Sequence, residues 1–423
     1  MAKPGDSVKV ITSDGTYEGI LMPRPELVPG DALILKLDNG YNVGIAKNKI
    51  KRIQILKSAK EVKKTIKQIK PNPKLPNVTI LSTGGTISSR VDYKTGGTFP
   101  ALTVEDFVAN APKILDYANI QARPISQVWS EDLTPKVWAK IAKEIYSEIK
   151  KGVKGIIVTH GTDTMGYTAA AISFMVQNLP IPVVFVGSQR SVDRGSTDAY
   201  PNLLTAVATA AKWDGAESVI CMHQSTNDDI NFLIRGTKAR KMHTERRDAF
   251  RPINDLPLAK IDYHGNIMNL ADHRVRSNAK PILNTKFDEK VALVFFYPGM
   301  SPQIIENLIK EKYHGIVIAG SGFGNISINL FPAFRKCYKA KIPVVITSQC
   351  IYGRVSGTVY ERGRRQVKEL NMIYGQDMMP EIAYIKLMHV LGQTRDMVKV
   401  KELMQTNMVG EITSCTAPQS YLI

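Results

Sequence analysis

A short apolar run that stops at two adjacent glycines constrains this chain more than any other stretch. Val78 to Leu81 reads as a strand, and Ser82-Thr83-Gly84-Gly85-Thr86-Ile87 follows it directly. Paired glycines let the backbone turn sharply and pass close to a neighbour. In an open α/β sheet, ligands bind in the crevice beyond the carboxyl ends of the strands, so this turn would deliver the Thr86 hydroxyl into that crevice. Taken alone, such a pattern is more often a plain turn than a site.

The rest of the chain has to supply the sheet. Gly155–Thr159, Ile181–Val186 and Ser218–Met222 are further short apolar runs alternating with helical patterns, the mark of βαβ units and a parallel sheet. One helix is well signposted. Thr134 stands at a cap position, Pro135 suits the first turn, and Val137, Ile141, Ile145 and Ile149 recur every fourth residue until Gly152. A second α/β unit is expected from about Phe287, with strands at Ala292–Phe296, Gly315–Ala319 and Pro343–Thr347. In it, Ser301-Pro302 opens a helix whose Ile304, Ile305, Leu308 and Ile309 face inward.

Before Pro71-Asn72-Pro73 the pattern differs. Runs at Val8–Ile11, Tyr17–Met22 and Ala32–Leu37 are separated by Asp14-Gly15, Pro29-Gly30-Asp31 and Asn39-Gly40, which are hairpin and turn signals. That stretch reads as a small β-barrel, followed by a Lys-rich helical or linking segment from Lys57 to Lys74. The chain should therefore run from barrel to larger α/β domain to smaller α/β domain.

At 423 residues, with 43% hydrophobic and 22% charged residues, the chain has enough apolar material for several cores. Its formal net charge of +18 favours a polyanionic partner such as nucleic acid, or else marks a Lys-rich thermophilic surface. Cys221, Cys337, Cys350 and Cys415 lack CxxC spacing, which argues against zinc and against a disulfide framework. No metal is expected. The start lacks the apolar core of a signal peptide and no run approaches the ~18 residues of a membrane span, so a cytoplasmic location without membrane contact is the expectation.

A second stretch repeats the logic of the first. Val158-Thr159-His160-Gly161-Thr162-Asp163-Thr164-Met165 lies where a strand gives way to a helix, placing Thr162 and Asp163 at the same crevice as Thr86. Thr and Asp in such places also serve simply as helix caps, and His160 suits packing better than catalysis. A threonine hydroxyl is a poor nucleophile unless a base takes its proton. Asp163 and a lysine from the run Arg235-Gly236-Thr237-Lys238-Ala239-Arg240-Lys241-Met242-His243-Thr244 are the available groups, although a run of this kind is usually a solvated basic face.

Together, the stretches from Leu75 to Ile87 and from Thr159 to Met165 resemble the two signatures of bacterial-type L-asparaginases and glutaminases, with the resemblance covering roughly residues 75 to 423. It implies an asparaginase-like two-domain α/β fold with mostly parallel sheets. The domains would be 1–75 (an SH3-like barrel and linker), 76–285 (the catalytic α/β domain) and 286–423 (the C-terminal α/β domain). It implies Thr86 as the nucleophile that forms an acyl-enzyme, with Thr162, Asp163 and Lys241 as the proton relay. Lys241 is chosen because Lys241 to Phe250 and the following Arg251-Pro252-Ile253-Asn254 fit the pattern around the family's lysine. Ser130 and Glu131 match its substrate-binding pair. A Glu at 131, where asparaginases often carry Gln, leaves the choice between glutamine and asparagine open. Gly85 would line the same pocket, Tyr93 is the candidate for the tyrosine of a mobile loop spanning Ser88 to Pro100, and Asn325 of Gly320-Ser321-Gly322-Phe323-Gly324-Asn325 would complete a neighbouring subunit's site.

An asparaginase-like chain with an added N-terminal barrel resembles the D subunits of archaeal glutamyl-tRNA(Gln) amidotransferases. That resemblance implies a glutaminase whose ammonia is used by a partner E subunit, with ATP and Mg, to convert Glu-tRNA(Gln) into Gln-tRNA(Gln). This chain would bind no cofactor itself, would form a homodimer within a heterotetramer, and would meet tRNA(Gln) mainly through the partner. Two alternatives are a stand-alone L-asparaginase or glutaminase and a non-catalytic RNA-binding scaffold. The intact Thr86, Thr162, Asp163 and Lys241 weigh against the scaffold.

Overall fold

The architecture is that of a computed structural model, which describes residues 2–22, 31–37, 42–58, 71–85, 87, 89–91, 98–100, 103–104, 107–108, 111–190 and 197–421. Thr86, Tyr93 and the Asn39-Gly40 turn lie outside the described residues, as does most of the Lys-rich segment after Ser58.

The N-terminal unit is a five-stranded antiparallel sheet of β1 (Ser7–Thr12), β2 (Thr16–Leu21), β3 (Ala32–Lys36), β4 (Asn42–Ala46) and β5 (Ile50–Lys57), in the order β4-β3-β2-β1-β5. Strict alternation in β1 turns Val8 and Val10 inward, where they meet Leu21, Leu35 and Ile45. As expected, Asp14-Gly15 makes the first hairpin, closed by Thr12 N donating to Gly15 O at 2.8 Å. Among the described residues these side chains form one buried cluster of their own, separate from the cores of the α/β units.

The larger α/β unit is built on eight strands: β6 (Asn77–Ser82), β7 (Asn119–Pro124), β8 (Gly155–Thr159), β9 (Val183–Val186), β10 (Ser218–His223), β11 (Ile230–Arg235), β14 (Ala259–Asp262) and β15 (Ile267–Asn269). The intervening β12 (Ala239–Lys241) and β13 (Phe250–Pro252) form a separate two-stranded ribbon. The sheet order is β15-β14-β11-β10-β9-β8-β6-β7. The expected strands β6, β8, β9 and β10 pair parallel, and β7, which was not anticipated, joins β6 parallel as well, but β11, β14 and β15 join antiparallel, so the sheet is mixed. Where it is parallel it is covered on both faces. Val78, Ile80 and Ile157 point to one core with helix α3 (Ala199–Lys212), whereas Leu81, Ile156 and Val158 point to the other with α1 (Pro135–Lys150) and α2 (Met165–Met175).

Helix α1 follows its sequence signals with one exception. Ile141 and Ile145 are fully buried and Val137 and Ile149 flank them. Thr134 occupies the cap position but its side chain accepts no hydrogen bond, leaving Pro135 as the start signal. Strand β9 begins at Val183 rather than Ile181, because Pro182 has no N–H to give to a ladder.

The C-terminal unit has four parallel strands, β16 (Val291–Phe295), β17 (Gly315–Gly320), β18 (Val344–Ser348) and β19 (Ile373–Tyr374), in that order. Its helices are α4 (Gln303–Lys310), α5 (Phe331–Lys339), α6 (Glu361–Leu370), α7 (Pro380–Leu391) and α8 (Met397–Gln405). Ile305 of α4 is fully buried and Ile304, Leu308 and Ile309 pack beside it. Helix α2 is apolar on every side because it is enclosed. One core runs from β8 and β9 through α2 and α7 to Val317 and Val345 in the second sheet. At about 1.5–3 kcal/mol per buried large aliphatic side chain, that shared core holds the two sheets in one arrangement.

Candidate active site

Parallel pairing sets Ser82, Thr159 and Val186 level across β6, β8 and β9. The turns that follow them therefore open at one edge of the sheet, where the crevice was expected. Thr83 ties the first two together, with both its N–H and its hydroxyl donating to Thr159 O, at 3.1 and 2.9 Å.

The glycines allow these turns to touch. Gly85 has φ +83°, and a Cβ there would lie 2.6 Å from Gly161 N and 2.7 Å from His160 C. A Cβ on Gly161 would in turn lie 2.8 Å from the Ser130 Cβ. Gly85 thus lies against the backbone of His160 and Gly161, and Gly161 in turn lies against the Ser130 side chain. The hydroxyl of Thr164 donates to Ser130 O at 2.5 Å, which locks the third turn to the second. Thr86 follows Gly85 in the chain but lies outside the described residues. Ile87, two positions on, is buried.

Lys241 ends β12, where it pairs with Phe250 of β13. Its Nζ donates to Thr162 Oγ1 at 2.9 Å and to Asp163 Oδ1 at 2.8 Å. Thr162 is buried, whereas the Asp163 side chain is 69% exposed and the Lys241 side chain only 13%. Neither Thr162 nor Asp163 caps α2. Thr164 takes that position, so the first two are free to hold the lysine. A hydroxyl, a carboxylate and an ammonium within hydrogen-bond reach can pass a proton toward or away from a nucleophile delivered by the Gly85 turn.

The basic run that supplies Lys241 is not a solvated face. Arg235 pairs with Glu217 at 2.8 Å and with Asp255 at 2.7 Å, and buried Lys238 pairs with buried Asp377 at 2.7 Å. Burial pushes the Lys238 ammonium below its ordinary value, partly offset by the Asp377 carboxylate. These pairs fix the segment on which Lys241 stands.

His160 has the packing role expected of it. Its ring is fully buried, with Nδ1 2.7 Å from Gly161 O and Nε2 2.8 Å from Thr168 Oγ1, and burial pulls its pKa down to about 4. Neutral imidazole donates from Nδ1 and accepts at Nε2, and thereby holds the turn that carries Thr162.

Of the remaining expected residues, Ser130 is brought to the site and Glu131 sits next to it, exposed, accepting from Ser130 Oγ at 3.3 Å. Asn325 stands in the turn after β17, where its backbone pairs with Ser321. Among the described residues it makes no hydrogen bond to Thr162, Asp163 or Lys241.

Gln189 and Asp198 were not anticipated. Gln189 follows β9, and its Oε1 accepts from Thr162 Oγ1 at 3.4 Å. Asp198 is fully buried and its carboxylate accepts from Gln189 N (2.9 Å) and Arg190 N (2.9 Å) as well as from Asn202 Nδ2 (3.0 Å). Burial raises the Asp198 pKa against those donors. The signal was present: Gly187-Ser188-Gln189 follows an expected strand at the same sheet edge. Among the described residues no group of His, Cys, Asp or Glu is placed to hold a metal, and no helix is long and apolar enough to cross a membrane.

Residues 77–275 match the family described as asparaginase, N-terminal, and residues 290–404 match the glutaminase/asparaginase C-terminal domain. Fold and site therefore define an asparaginase-type α/β protein. The thermostable L-asparaginase from Thermococcus kodakarensis superposes with a TM-score of 0.73 at 33% identity, over 80% of this chain and 100% of its own. L-asparaginase I from Vibrio cholerae gives 0.69 at 28% identity, over 80% and 99%. Residues 2–56 match the GatD N-terminal domain. Over 99% of this chain and 97% of its own length, the D subunit of the glutamyl-tRNA(Gln) amidotransferase from Pyrococcus furiosus is 48% identical. Its counterpart from Methanopyrus kandleri is 43% identical over 96% and 91%. The chain belongs to the family of glutamyl-tRNA(Gln) amidotransferase D subunits.

Proposed function

We propose that this chain is the glutaminase subunit of a tRNA-dependent amidotransferase. Thr86 attacks the side-chain amide carbon of glutamine while its proton passes to the Lys241 cluster. The C–N bond breaks, and nitrogen leaves as ammonia after taking up a proton. Water then attacks the threonine ester, releasing glutamate and restoring the Thr86 hydroxyl. The single observation that carries this reading is the contact of Lys241 with both Thr162 and Asp163, one turn away from Gly85.

In this reading the ammonia is consumed by a partner E subunit, which binds ATP and Mg and converts Glu-tRNA(Gln) to Gln-tRNA(Gln). The chain itself holds no cofactor and works in the cytoplasm as a homodimer within a heterotetramer, with tRNA contacts mainly through the partner. Ser130, Glu131 and Gly85 line the glutamine pocket, Tyr93 binds the substrate, and Asn325 acts in a neighbouring subunit's site. The N-terminal sheet favours this over a stand-alone asparaginase. The matched asparaginase structures leave about a fifth of this chain unaccounted for, and the sheet belongs to the separate GatD N-terminal module.

Ammonia release from glutamine and from asparagine, by the purified chain and then with its partner subunit, ATP and glutamyl-tRNA, tests the proposal. Release from glutamine that the complete system strengthens is expected. Vigorous asparagine hydrolysis that is indifferent to the partner would overturn the amidotransferase assignment.

A further inference from the structure

We infer that Gln189 is a substrate-contacting residue whose side-chain N–H donates to the carbonyl oxygen of the amide being cleaved. The inference deepens, and rests on, the amidohydrolase reading above. Thr162 Oγ1 already accepts from the Lys241 ammonium at 2.9 Å, so its own proton is free to donate, and the acceptor it reaches is Gln189 Oε1 at 3.4 Å. That contact sets which end of the carboxamide faces Thr162 and leaves Nε2 as the unused donor. Nε2 is shut off from solvent and has no hydrogen-bond partner among the described residues. A buried donor without an acceptor is unfavourable and calls for a reason.

The residue is also held in place. The Asp198 carboxylate fixes the Gln189 and Arg190 N–H groups, and is itself fixed by Asn202. Asn202 continues the clamp by donating to Gly187 O at 3.0 Å. A side chain anchored through its own backbone, touching the hydroxyl that Lys241 holds, and carrying one unspent donor is preorganised for charge that develops on a substrate oxygen. The long Thr162 contact suits this role, because a weak bond lets the carboxamide adjust when an acceptor arrives.

Gln189→Met removes both polar ends, whereas Gln189→Glu keeps the acceptor for Thr162 and removes the donor. Steady-state ammonia release by the full chain is measured for both, with thermal unfolding followed in parallel. A donor to the developing oxyanion predicts that kcat falls about a hundredfold in each variant, with KM and the unfolding midpoint little changed. A Glu variant at the wild-type rate would overturn the donor role. A rise in KM with kcat intact would overturn it too, by placing the contact on a part of the substrate that does not react. Calorimetric binding of L-glutamate, whose side-chain carboxylate places an oxygen where the carbonyl stood, adds a readout independent of turnover. Weakening of about tenfold by Gln189→Met is expected, and equal binding overturns the inference. Wild-type protein that binds glutamate but releases no ammonia would overturn the glutaminase reading, leaving the binding arm to decide on Gln189. Protein that does neither overturns both.

Discussion

Lys238 and Lys241 stand three positions apart on one segment, yet the first is sunk against Asp377 of the C-terminal unit while the second reaches Thr162 and Asp163 in the crevice. One short segment, the turn ending at Lys238 and the strand β12 that follows it, therefore carries both the ion pair that ties two units together and the ammonium that reaches the crevice. Asn254, at φ +58°, reinforces the tie by donating to Asp377 O at 2.9 Å and accepting from Gly353 N at 2.7 Å.

Asp377→Ala should cost about 3–5 kcal/mol of stability, because it strands a buried ammonium. Lys238→Met should cost less. It leaves Asp377 with the Thr413 N–H and hydroxyl, and with Arg354 at 3.6 Å. Urea unfolding of the two variants checks the order, and equal losses would contradict it.

Lys241→Met should reduce glutamine turnover by about 10²–10⁴-fold, the usual range for a positioned proton-transfer group. Its stability effect should stay small, since the Asp163 side chain it leaves behind is largely in water. Retention of more than a tenth of the activity would remove Lys241 from the relay.

Thr86→Val should abolish turnover while the protein still melts cooperatively near the wild-type temperature. If Thr86 carries the acyl group, a glutamine-derived electrophile should label the wild-type chain at that residue and fail to label the variant, as peptide mass spectrometry would read. Labelling elsewhere would reassign the nucleophile.

Gly85→Ala should both inactivate and destabilise. The new methyl group would sit 2.6 Å from Gly161 N at a φ of +83°, a backbone region costing a non-glycine residue about 1–2 kcal/mol before any collision is counted. Activity at the wild-type level would mean that the two turns need not touch.

His160 predicts an acid-side loss of stability. Its pKa is about 4 in the folded chain against 6.5 for the free side chain, so between those values the unfolded chain binds the proton that the folded one refuses. Stability is then fully present above about pH 6.5 and lost as pH falls toward 4, by on the order of 3 kcal/mol. His160→Gln should flatten the fall in unfolding free energy between pH 6.5 and 4.5. An unchanged slope would show that the imidazole is not the group titrating.

The strand ends were legible in the sequence because parallel strands buried on both faces must be short apolar runs, and glycines or hydroxyl residues must follow where the chain turns into a crevice. Gly85, Thr162 and Asp163 could be found that way. Lys241 was reached only through resemblance, since its run of basic residues reads locally as a solvent face. The structure buries Lys238 and half-buries Arg235 of that run because Asp377, from the C-terminal unit, neutralises the first and Glu217 and Asp255, on neighbouring segments, neutralise the second. The antiparallel half of the central sheet was not legible, because β11 is buried over four consecutive residues like a parallel strand, and β14 is only four residues long.

By itself, then, the sequence determined the order of its units, the positions of the parallel strands β6, β8, β9 and β10 and the places where backbone had to approach backbone, since local apolar period and glycine placement govern those. Tertiary structure decided which charge meets which. The Lys241–Thr162 contact spans 79 residues and the Lys238–Asp377 pair 139, and no local rule encodes a contact whose energy exists only after both partners leave water together. Gln189 belongs to the same class. Its neighbours in sequence say nothing of Thr162, and only the level ends of β8 and β9 bring the two side chains to one edge.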